Sequence, residues 1–123
     1  MIVKLIARFV HERTGSPLAD SRVTARVFDR DPLSDDFLAE SQLSETGEAE
    51  WMFALSAAAS MDSPAEKRPD IYVELERGGD VFFQSVVTEN IDFFQRDPVS
   101  GELRGRTHFL GTFRVKETPG DRE

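Results

Sequence analysis

The chain has 123 residues, of which 39% are hydrophobic and 31% charged; its formal net charge is -8 and it has no cysteine. This size and apolar content are typical of one folded domain with its own core, and they exclude an intrinsically disordered chain. The acidic balance argues against a nucleic-acid partner, and the lack of cysteine excludes disulfides, thiolate metal sites and cysteine nucleophiles.

The first half of the chain contains four segments in which apolar and polar residues alternate, the pattern typical of β-strands with one buried face. These predicted strands cover residues 2–10, 22–28, 37–44 and 48–55. The only tryptophan lies in the fourth and is expected to anchor the core. The side chains predicted to face inward are Val3, Leu5, Ala7, Phe9, Val23, Ala25, Val27, Ala49, Trp51, Phe53 and Leu55.

The second half predicts three more strands, at residues 71–76, 81–88 and 107–115, the first two joined by a hairpin turn at residues 77–80. Residues 56–69 are predicted to be a crossover with one short helical turn, limited by Pro64 and Pro69, and residues 90–96 a second helical turn. The pattern predicts an all-β, seven-stranded antiparallel sandwich of the Greek-key type. Residues 1–115 would form its single domain, and residues 116–123 a disordered charged tail.

No apolar stretch reaches the length of a signal peptide or a membrane span. We therefore expect a cytoplasmic protein that does not insert directly into a membrane.

Acidic residues are concentrated in one region. Residues 29–50 carry eight acids and one base, a net charge of -7. Four aspartates, Asp29, Asp31, Asp35 and Asp36, lie within the loop at residues 29–36. Because Ca²⁺ takes six to eight oxygen ligands, such a loop could hold a calcium ion, although it lacks the EF-hand pattern. Aspartates also accept hydrogen bonds from backbone N–H groups in turns, and Asp35 could cap a helical turn over residues 36–38.

Several segments together resemble the transthyretin-like (prealbumin-like) sandwiches and, loosely, the carboxypeptidase-regulatory-like modules. The resemblance is carried by Thr-Gly-Ser-Pro-Leu at 14–18, Val-Phe-Asp-Arg-Asp-Pro at 27–32, Asp-Asp-Phe-Leu-Ala-Glu at 35–40, Glu-Thr-Gly-Glu-Ala at 45–49, Trp51, Phe53 and Pro-Asp-Ile-Tyr-Val-Glu-Leu at 69–75. It implies a sandwich fold. One branch of the family hydrolyses 5-hydroxyisourate and ends in Tyr-Arg-Gly-Ser; the Leu-Arg-Gly-Arg at 103–106 is neither that motif nor terminal. Other branches are carriers, secreted ligands or adhesion modules.

Other residue combinations have chemical and structural interpretations. His11 and His108 could form a two-histidine metal site, but structural and catalytic zinc sites need three or four protein ligands. Ser85, His108 and Asp92 could be arranged as a triad, yet no nucleophile-elbow pattern surrounds the serine. The adjacent pairs 82–83 and 93–94 are all Phe; neighbours in a strand face opposite sides, so we expect Phe93 or Phe94 to cover Phe82, or one ring to be exposed to a partner.

These observations favour a non-catalytic binding or assembly module that engages a protein or small ligand through its loops or a sheet edge. Two alternatives remain. The first is Ca²⁺-dependent binding of a glycan or lipid through the acidic loop. The second is a small hydrolase of the transthyretin-like type. The sequence leaves the ligand and the oligomeric state open, and a homo-oligomer is compatible with it.

Overall fold

The structure is a computed structural model that describes residues 2–31, 34–54, 69–89, 91–93, 98–101 and 107–116. It contains seven strands, and none of the described residues is helical, so the predicted all-β class is confirmed. The crossover predicted at 56–69 lies outside the described residues except for Pro69, as do most of the helical turn predicted at 90–96 and all of the tail after Lys116. The strands are β1 (Ile2–His11), β2 (Val23–Asp29), β3 (Asp36–Gln42), β4 (Glu48–Ala54), β5 (Ile71–Arg77), β6 (Asp80–Gln84) and β7 (Thr107–Val115).

The strands form two sheets, one with the order β4-β1-β7 and the other with the order β3-β2-β5-β6. All pairings are antiparallel except β1 with β7, which run parallel. The prediction of a fully antiparallel sandwich was therefore wrong at this pair. The physical reason is that β7 is not joined to β1 or to its own sheet by a hairpin. The chain arrives from β6, in the other sheet, through a long connection, which permits a parallel pairing.

One buried face of each sheet supplies the core, as the alternation predicted for the inward residues other than Leu55, which lies outside the described residues. The inward side chains of β1 are Val3, Leu5, Ala7 and Phe9, and they face those of β2 and β5 across the sandwich. Trp51 is 1% exposed, and its indole N–H donates a hydrogen bond to the Ala25 carbonyl of the opposite sheet. The remaining members of the buried cluster include Leu18, Val23, Val27, Leu43, Ala49, Phe53, Ile71, Val73, Leu75, Ile91, Phe93 and Val115.

Strand β6 ends at Gln84, earlier than predicted, and its pairing with β5 is irregular. Val81 pairs with Glu76 and Phe83 with Leu75, so Phe82 is an extra residue in a β-bulge. The bulge allows both Phe82 and Phe83 to pack against the buried cluster, which simple alternation did not predict. Phe93 packs edge-on against Phe53, with ring centroids 6.3 Å apart, whereas Phe94 lies outside the described residues.

The sandwich has two distinct ends. At one end, His11 of β1, Val23 of β2, Arg77 of β5 and Val115 of β7 meet the loop at residues 12–22. At the other end, β2 and β5 pair through Asp29 and Ile71, next to the acidic loop. Within the part of the chain that the structure describes, no helix has the length and apolar character needed to cross a membrane.

Candidate functional site

The acidic loop begins where β2 ends, and its first aspartate is a structural residue. Asp29 is 1% exposed, and its Oδ1 accepts a hydrogen bond of 3.3 Å from the backbone N–H of Asp70. The next residue, Arg30, donates its backbone N–H to the Asp70 carbonyl at 2.8 Å. Asp29 and the neighbouring backbone therefore fasten the start of β5 to the end of β2.

The carboxylate of Asp35 connects the loop to the outer face of the four-stranded sheet. Its Oδ2 accepts a hydrogen bond of 2.5 Å from the Tyr72 hydroxyl, and its Oδ1 accepts one of 3.1 Å from the Asp31 backbone N–H. These two donors, the Tyr72 hydroxyl first, hold the pKa of Asp35 below its ordinary value. Burial, together with the hydrogen bond to Asp35, raises the pKa of Tyr72, so this phenol stays protonated and donates.

The structure places the four predicted calcium ligands in two pairs. Asp29 and Asp36 are register partners across β2 and β3, while Asp35 and Asp31 are joined by the hydrogen bond within the loop. Asp36 opens β3, so the helical turn that Asp35 was predicted to cap does not form. Among the described residues, which omit positions 32 and 33 of this loop, no group of three or more His, Asp or Glu side chains is arranged to hold a metal ion.

Three aromatic rings lie side by side on the outer face of the four-stranded sheet, next to this loop. Phe28 stacks on Tyr72 with ring centroids 5.2 Å apart and an interplanar angle of 13°. Phe37 meets Phe28 edge-on at 5.7 Å, and 54% of Phe37 is exposed. We call Phe28, Phe37 and Tyr72 the aromatic corner.

The sequence interpretation missed the aromatic corner because its members come from three different strands, and Tyr72 is distant in the chain from the other two. Register brings them together: Phe28 pairs with Phe37 on one side and with Tyr72 on the other. One signal was present in the sequence. Val27 is inward in the predicted alternation, so Phe28 must face outward, where a large aromatic side chain is unusual unless something covers it or it serves a contact.

The centre of the same outer face is occupied by charged residues. Arg26 lies between two glutamates, with Nη1 at 2.8 Å from Glu76 and Nε at 3.5 Å from Glu40. All three side chains come from neighbouring strands, and ion pairs of this kind across a sheet stabilise its register. One arginine between two glutamates leaves this part of the face with a net negative charge.

The two histidines are too far apart to share a metal ion. His108 pairs with Leu5, whereas His11 lies six residues further along β1 and pairs with Val115. At the usual rise per residue of a strand, this separation is about 20 Å. His108 is half-buried beside the Phe93 ring, and burial lowers its pKa.

Ser85 has a structural role in the described residues. It is 7% exposed, and its Oγ accepts a hydrogen bond of 2.8 Å from the Val73 backbone N–H. The same hydroxyl donates to the Val86 carbonyl at 2.9 Å. Because its proton is directed at a carbonyl, this serine lacks the arrangement of an activated nucleophile, in which the hydroxyl donates to a general base.

Comparisons with known proteins identify a fold but no family. No protein-family model matches the chain, and no curated protein matches it. Among solved structures, the chain is similar to part of a 9R-lipoxygenase from Cyanothece PCC8801, with a TM-score of 0.58 and 17% identity. The match covers 93% of this chain but only 16% of the lipoxygenase chain. At this identity the similarity concerns the fold alone.

Proposed function

We propose that the protein is a non-catalytic binding module that contacts a partner through the aromatic corner. The observation that carries this proposal is the exposure of Phe37, 54% of which is open to solvent on a sheet face. Aromatic side chains are enriched among the residues that dominate binding energy at protein interfaces.

Contacts within the chain hold the aromatic corner in place before any partner binds. Phe37 sits in the paired β2–β3 region, Phe28 is held by stacking on Tyr72, and Tyr72 is fixed by its hydrogen bond to Asp35. A partner that contacts these rings therefore has little conformational entropy to remove from this chain, and preorganisation of this kind raises affinity.

The charge around the corner favours a cationic partner. Asp35 and Asp36, the two residues before Phe37 in the chain, are exposed, and the chain as a whole carries a net charge of -8. A lysine or arginine can lie over an aromatic face while it pairs with a neighbouring carboxylate. The negative field also speeds the approach of positively charged partners. The proposed partner is a basic segment of another protein.

The finer fold assignment forms part of the proposal. We propose that the domain is a Greek-key sandwich of the transthyretin-like type, supported by the order of motifs between residues 14 and 55. The similarity to 16% of a longer lipoxygenase chain supports the view that this architecture serves as a module.

Calcium binding at residues 29–36 is a second candidate function. It is favoured by the register pairing of Asp29 with Asp36, which brings two carboxylate-bearing residues to adjacent strand ends. Asp35 can still take part, because a carboxylate has more acceptor positions than its two present donors use. A thermal-shift titration with Ca²⁺ tests the idea: a rise in melting temperature that a chelator reverses supports it, and no rise at millimolar ion contradicts it.

The main proposal is tested with two phenylalanine variants. Phe37 and Phe109 are each 54% exposed, but Phe109 lies on the outer face of the other sheet. A lysine- and arginine-rich peptide is titrated into the wild-type chain, Phe37→Ala and Phe109→Ala by calorimetry. We expect Phe37→Ala to weaken binding about fivefold or more, the effect of an interface anchor, and Phe109→Ala to leave it unchanged. Equal effects of both variants, or no binding to the wild type, would contradict the proposal.

The electrostatic part of the proposal is tested with a second pair of variants. Asp36→Asn removes the carboxylate of the residue that precedes Phe37 in the chain without touching the Asp35–Tyr72 hydrogen bond, whereas Glu45→Gln removes one from the exposed turn before β4. We expect Asp36→Asn to weaken the peptide more than Glu45→Gln at low salt, and the difference to shrink as ionic strength rises. Identical losses would mean that only the overall charge attracts the peptide.

A further inference from the structure

We propose that a second copy of this chain binds at the aromatic corner, so that copies stack head to tail. The outer face of the four-stranded sheet of one copy contacts the outer face of the three-stranded sheet of the next. The proposal rests on the proposed function, because it names an occupant for the same corner. It is carried by exposed apolar side chains on both faces and by face charges of opposite sign.

The outer face of the three-stranded sheet carries the side chains that point away from the core. In β4, and in β1 as far as Phe9, burial alternates from residue to residue, so every second side chain faces outward. The sheet register places Ile6 of β1 beside Phe109 of β7, and Lys4 of β1 beside Met52 of β4. We call the outward side chains of β1, β4 and β7 the three-stranded face.

Three large apolar side chains are exposed on the three-stranded face. Ile2, Met52 and Phe109 are 50%, 61% and 54% exposed, so each offers apolar surface to a partner. Ile6 lies beside Phe109 in the register and is itself partly exposed. Exposed apolar side chains that share one face are typical of a contact surface.

The charged residues of the three-stranded face sum to +1. The face carries three bases and two acids, namely Lys4, Arg8, Arg114, Glu48 and Glu50. Lys4 and Glu50 pair at 2.6 Å, which leaves two exposed arginines, Arg8 and Arg114, against Glu48. Arg114 also donates a hydrogen bond of 3.1 Å to the backbone carbonyl of Glu12, a neutral acceptor that does not cancel its charge.

The outer face of the four-stranded sheet has the opposite sign. We call the outward side chains of β2, β3, β5 and β6, together with Asp35, the four-stranded face. Its strands carry one base and three acids, namely Arg26, Glu40, Glu74 and Glu76. Asp35 adds a carboxylate at the aromatic corner through its hydrogen bond to Tyr72, so the face sums to -3. Phe37 and Val81 are exposed on it, at 54% and 52%.

These charges favour contact between unlike faces. Two four-stranded faces would bring -3 against -3, and two three-stranded faces +1 against +1, whereas unlike faces attract each other. Because the two faces lie on opposite sides of the sandwich, each added copy leaves one free face of each kind. A head-to-tail contact of this geometry does not close as a dimer and gives an open stack.

The net charge of the whole chain does not prevent this contact at physiological salt. At about 0.15 M the screening length is about 8 Å, so the facing residues dominate over the remaining charge of the chain. The contact is small, because three strands spaced about 4.8 Å apart form a face only about 15 Å wide. It therefore belongs to the weak, transient class of interfaces, and its detection needs chain concentrations up to about 1 mM.

The test is sedimentation velocity of the wild-type chain, Phe37→Ala and Phe109→Ala, from about 10 μM to about 1 mM at about 0.15 M salt. We expect the mean mass of the wild type to rise past that of a dimer, and each variant to associate about fivefold or more weakly. An equimolar mixture of the two variants should associate more strongly than either alone, because only the mixture contains two intact unlike faces. Val86→Ala, at an exposed apolar position outside the strands, is the control and should behave as the wild type does.

The charge of the three-stranded face is tested with a further pair of variants. Arg8→Gln removes a base from that face, whereas Arg13→Gln removes one from the exposed turn after β1. We expect Arg8→Gln to associate about twofold or more weakly than Arg13→Gln, the effect of one exposed ion pair. The lysine- and arginine-rich peptide should dissociate the stack, because it occupies the aromatic corner.

Failure of this proposal is distinguishable from failure of the proposed function. A wild-type chain that stays monomeric throughout, yet binds the peptide through Phe37, would overturn the stack and leave the proposed function standing. Loss of association in only one phenylalanine variant would overturn the stack, since contact between like faces needs only one of the rings. A mixture that associates no more strongly than its components would overturn it as well. Association that needs both rings, in a chain that binds no peptide, would support the stack and contradict the basic segment as a partner.

Discussion

The indole N–H of Trp51 in β4 donates a hydrogen bond of 2.9 Å to the backbone carbonyl of Ala25 in β2. The two strands belong to different sheets, so this bond crosses the core. Both residues are buried, at 1% and 0% exposure, and water cannot replace the bond. The tryptophan thus packs the centre of the sandwich and also fixes how one sheet lies on the other.

Trp51→Phe is expected to destabilise the fold strongly. The change removes the donor to Ala25 and leaves a cavity where the second ring of the indole packs, and together these effects should cost about 2–4 kcal/mol of unfolding free energy. Urea unfolding followed by circular dichroism measures the loss. Met52→Leu, at the adjacent but 61% exposed position, should change stability by less than about 0.5 kcal/mol. Similar losses in both variants would contradict the role assigned to Trp51.

Gly47→Ala is expected to be among the most damaging glycine substitutions. Gly47 has φ +76°, and an added Cβ would lie 2.5 Å from the Phe9 carbonyl oxygen and 2.9 Å from the Leu18 nitrogen. These backbone atoms are held by hydrogen bonds and cannot move aside cheaply. We expect Gly47→Ala to lower the unfolding free energy by about 3 kcal/mol or more, because backbone strain and overpacking act together.

Gly78→Ala is the matched control for Gly47→Ala. Gly78 also has a positive φ, +60°, but nothing lies within 4 Å of an added Cβ. Gly78→Ala should therefore lower the unfolding free energy by about 1–2 kcal/mol only, from conformational strain. A smaller loss at Gly47 than at Gly78 would show that the close approach of the Phe9 and Leu18 backbone is not tight in solution.

Ser85→Ala tests whether this serine is structural or catalytic. Its hydroxyl accepts the buried N–H of Val73, so the variant leaves that donor without a partner and should lose about 1–3 kcal/mol. Ser34→Ala, at an exposed loop position, should stay within about 0.5 kcal/mol of the wild type. Any hydrolysis of model esters should be the same in wild type and Ser85→Ala. Loss of an ester-hydrolysing activity in the folded variant would favour the hydrolase alternative.

Asp20 is expected to contribute a pH-dependent part of the stability. Hydrogen bonds and ion pairs with Arg22, followed by the charge of Arg77, lower the pKa of Asp20 from 3.8 to about 2. Because the folded-state pKa is lower than the unfolded one, this contribution is fully present above about pH 4 and is lost as pH falls toward about 2. Asp20→Asn should lower the unfolding free energy by about 1 kcal/mol at pH 7.

The role of Asp20 is tested by measuring the unfolding free energy as a function of pH. Denaturant unfolding at a series of pH values between neutrality and pH 2 should show the wild type losing its advantage over Asp20→Asn as pH falls below about 4. A difference between the two chains that stays constant down to pH 2 would mean that the Asp20 charge is not what stabilises the fold.

The inward face of a strand is clearest in the sequence where that face is fully buried. In β2 the burial alternates at every residue from Val23 to Asp29, so the period of two is directly visible in the sequence. The edge strands β3 and β6 lack this alternation, and each pairs through a bulge that shifts its phase. Their predicted ends were consequently the least accurate. The parallel pairing of β1 with β7 was not predictable, because it joins segments distant in the chain and leaves no local pattern.

The candidate site was predictable only in part, for a similar reason. The sequence identifies the four aspartates of the acidic loop as a group, since they are neighbours in the chain. It does not reveal that Asp29 bonds to Asp70 and Asp35 to Tyr72, because those partners lie 41 and 37 residues away. The aromatic corner likewise exists only once Phe37 and Tyr72 are brought to either side of Phe28 by the sheet register.

The most direct test of the proposed function is an NMR map of the basic peptide on the isotope-labelled chain. We predict that peptide addition shifts the amides around Phe28, Phe37 and Tyr72, and that Phe37→Ala needs about fivefold or more peptide to reach the same shifts while its spectrum remains that of a folded chain. Shifts centred instead on the outer face of the β4-β1-β7 sheet around Phe109, or a spectrum that the peptide does not change, would contradict the assignment of binding to the aromatic corner.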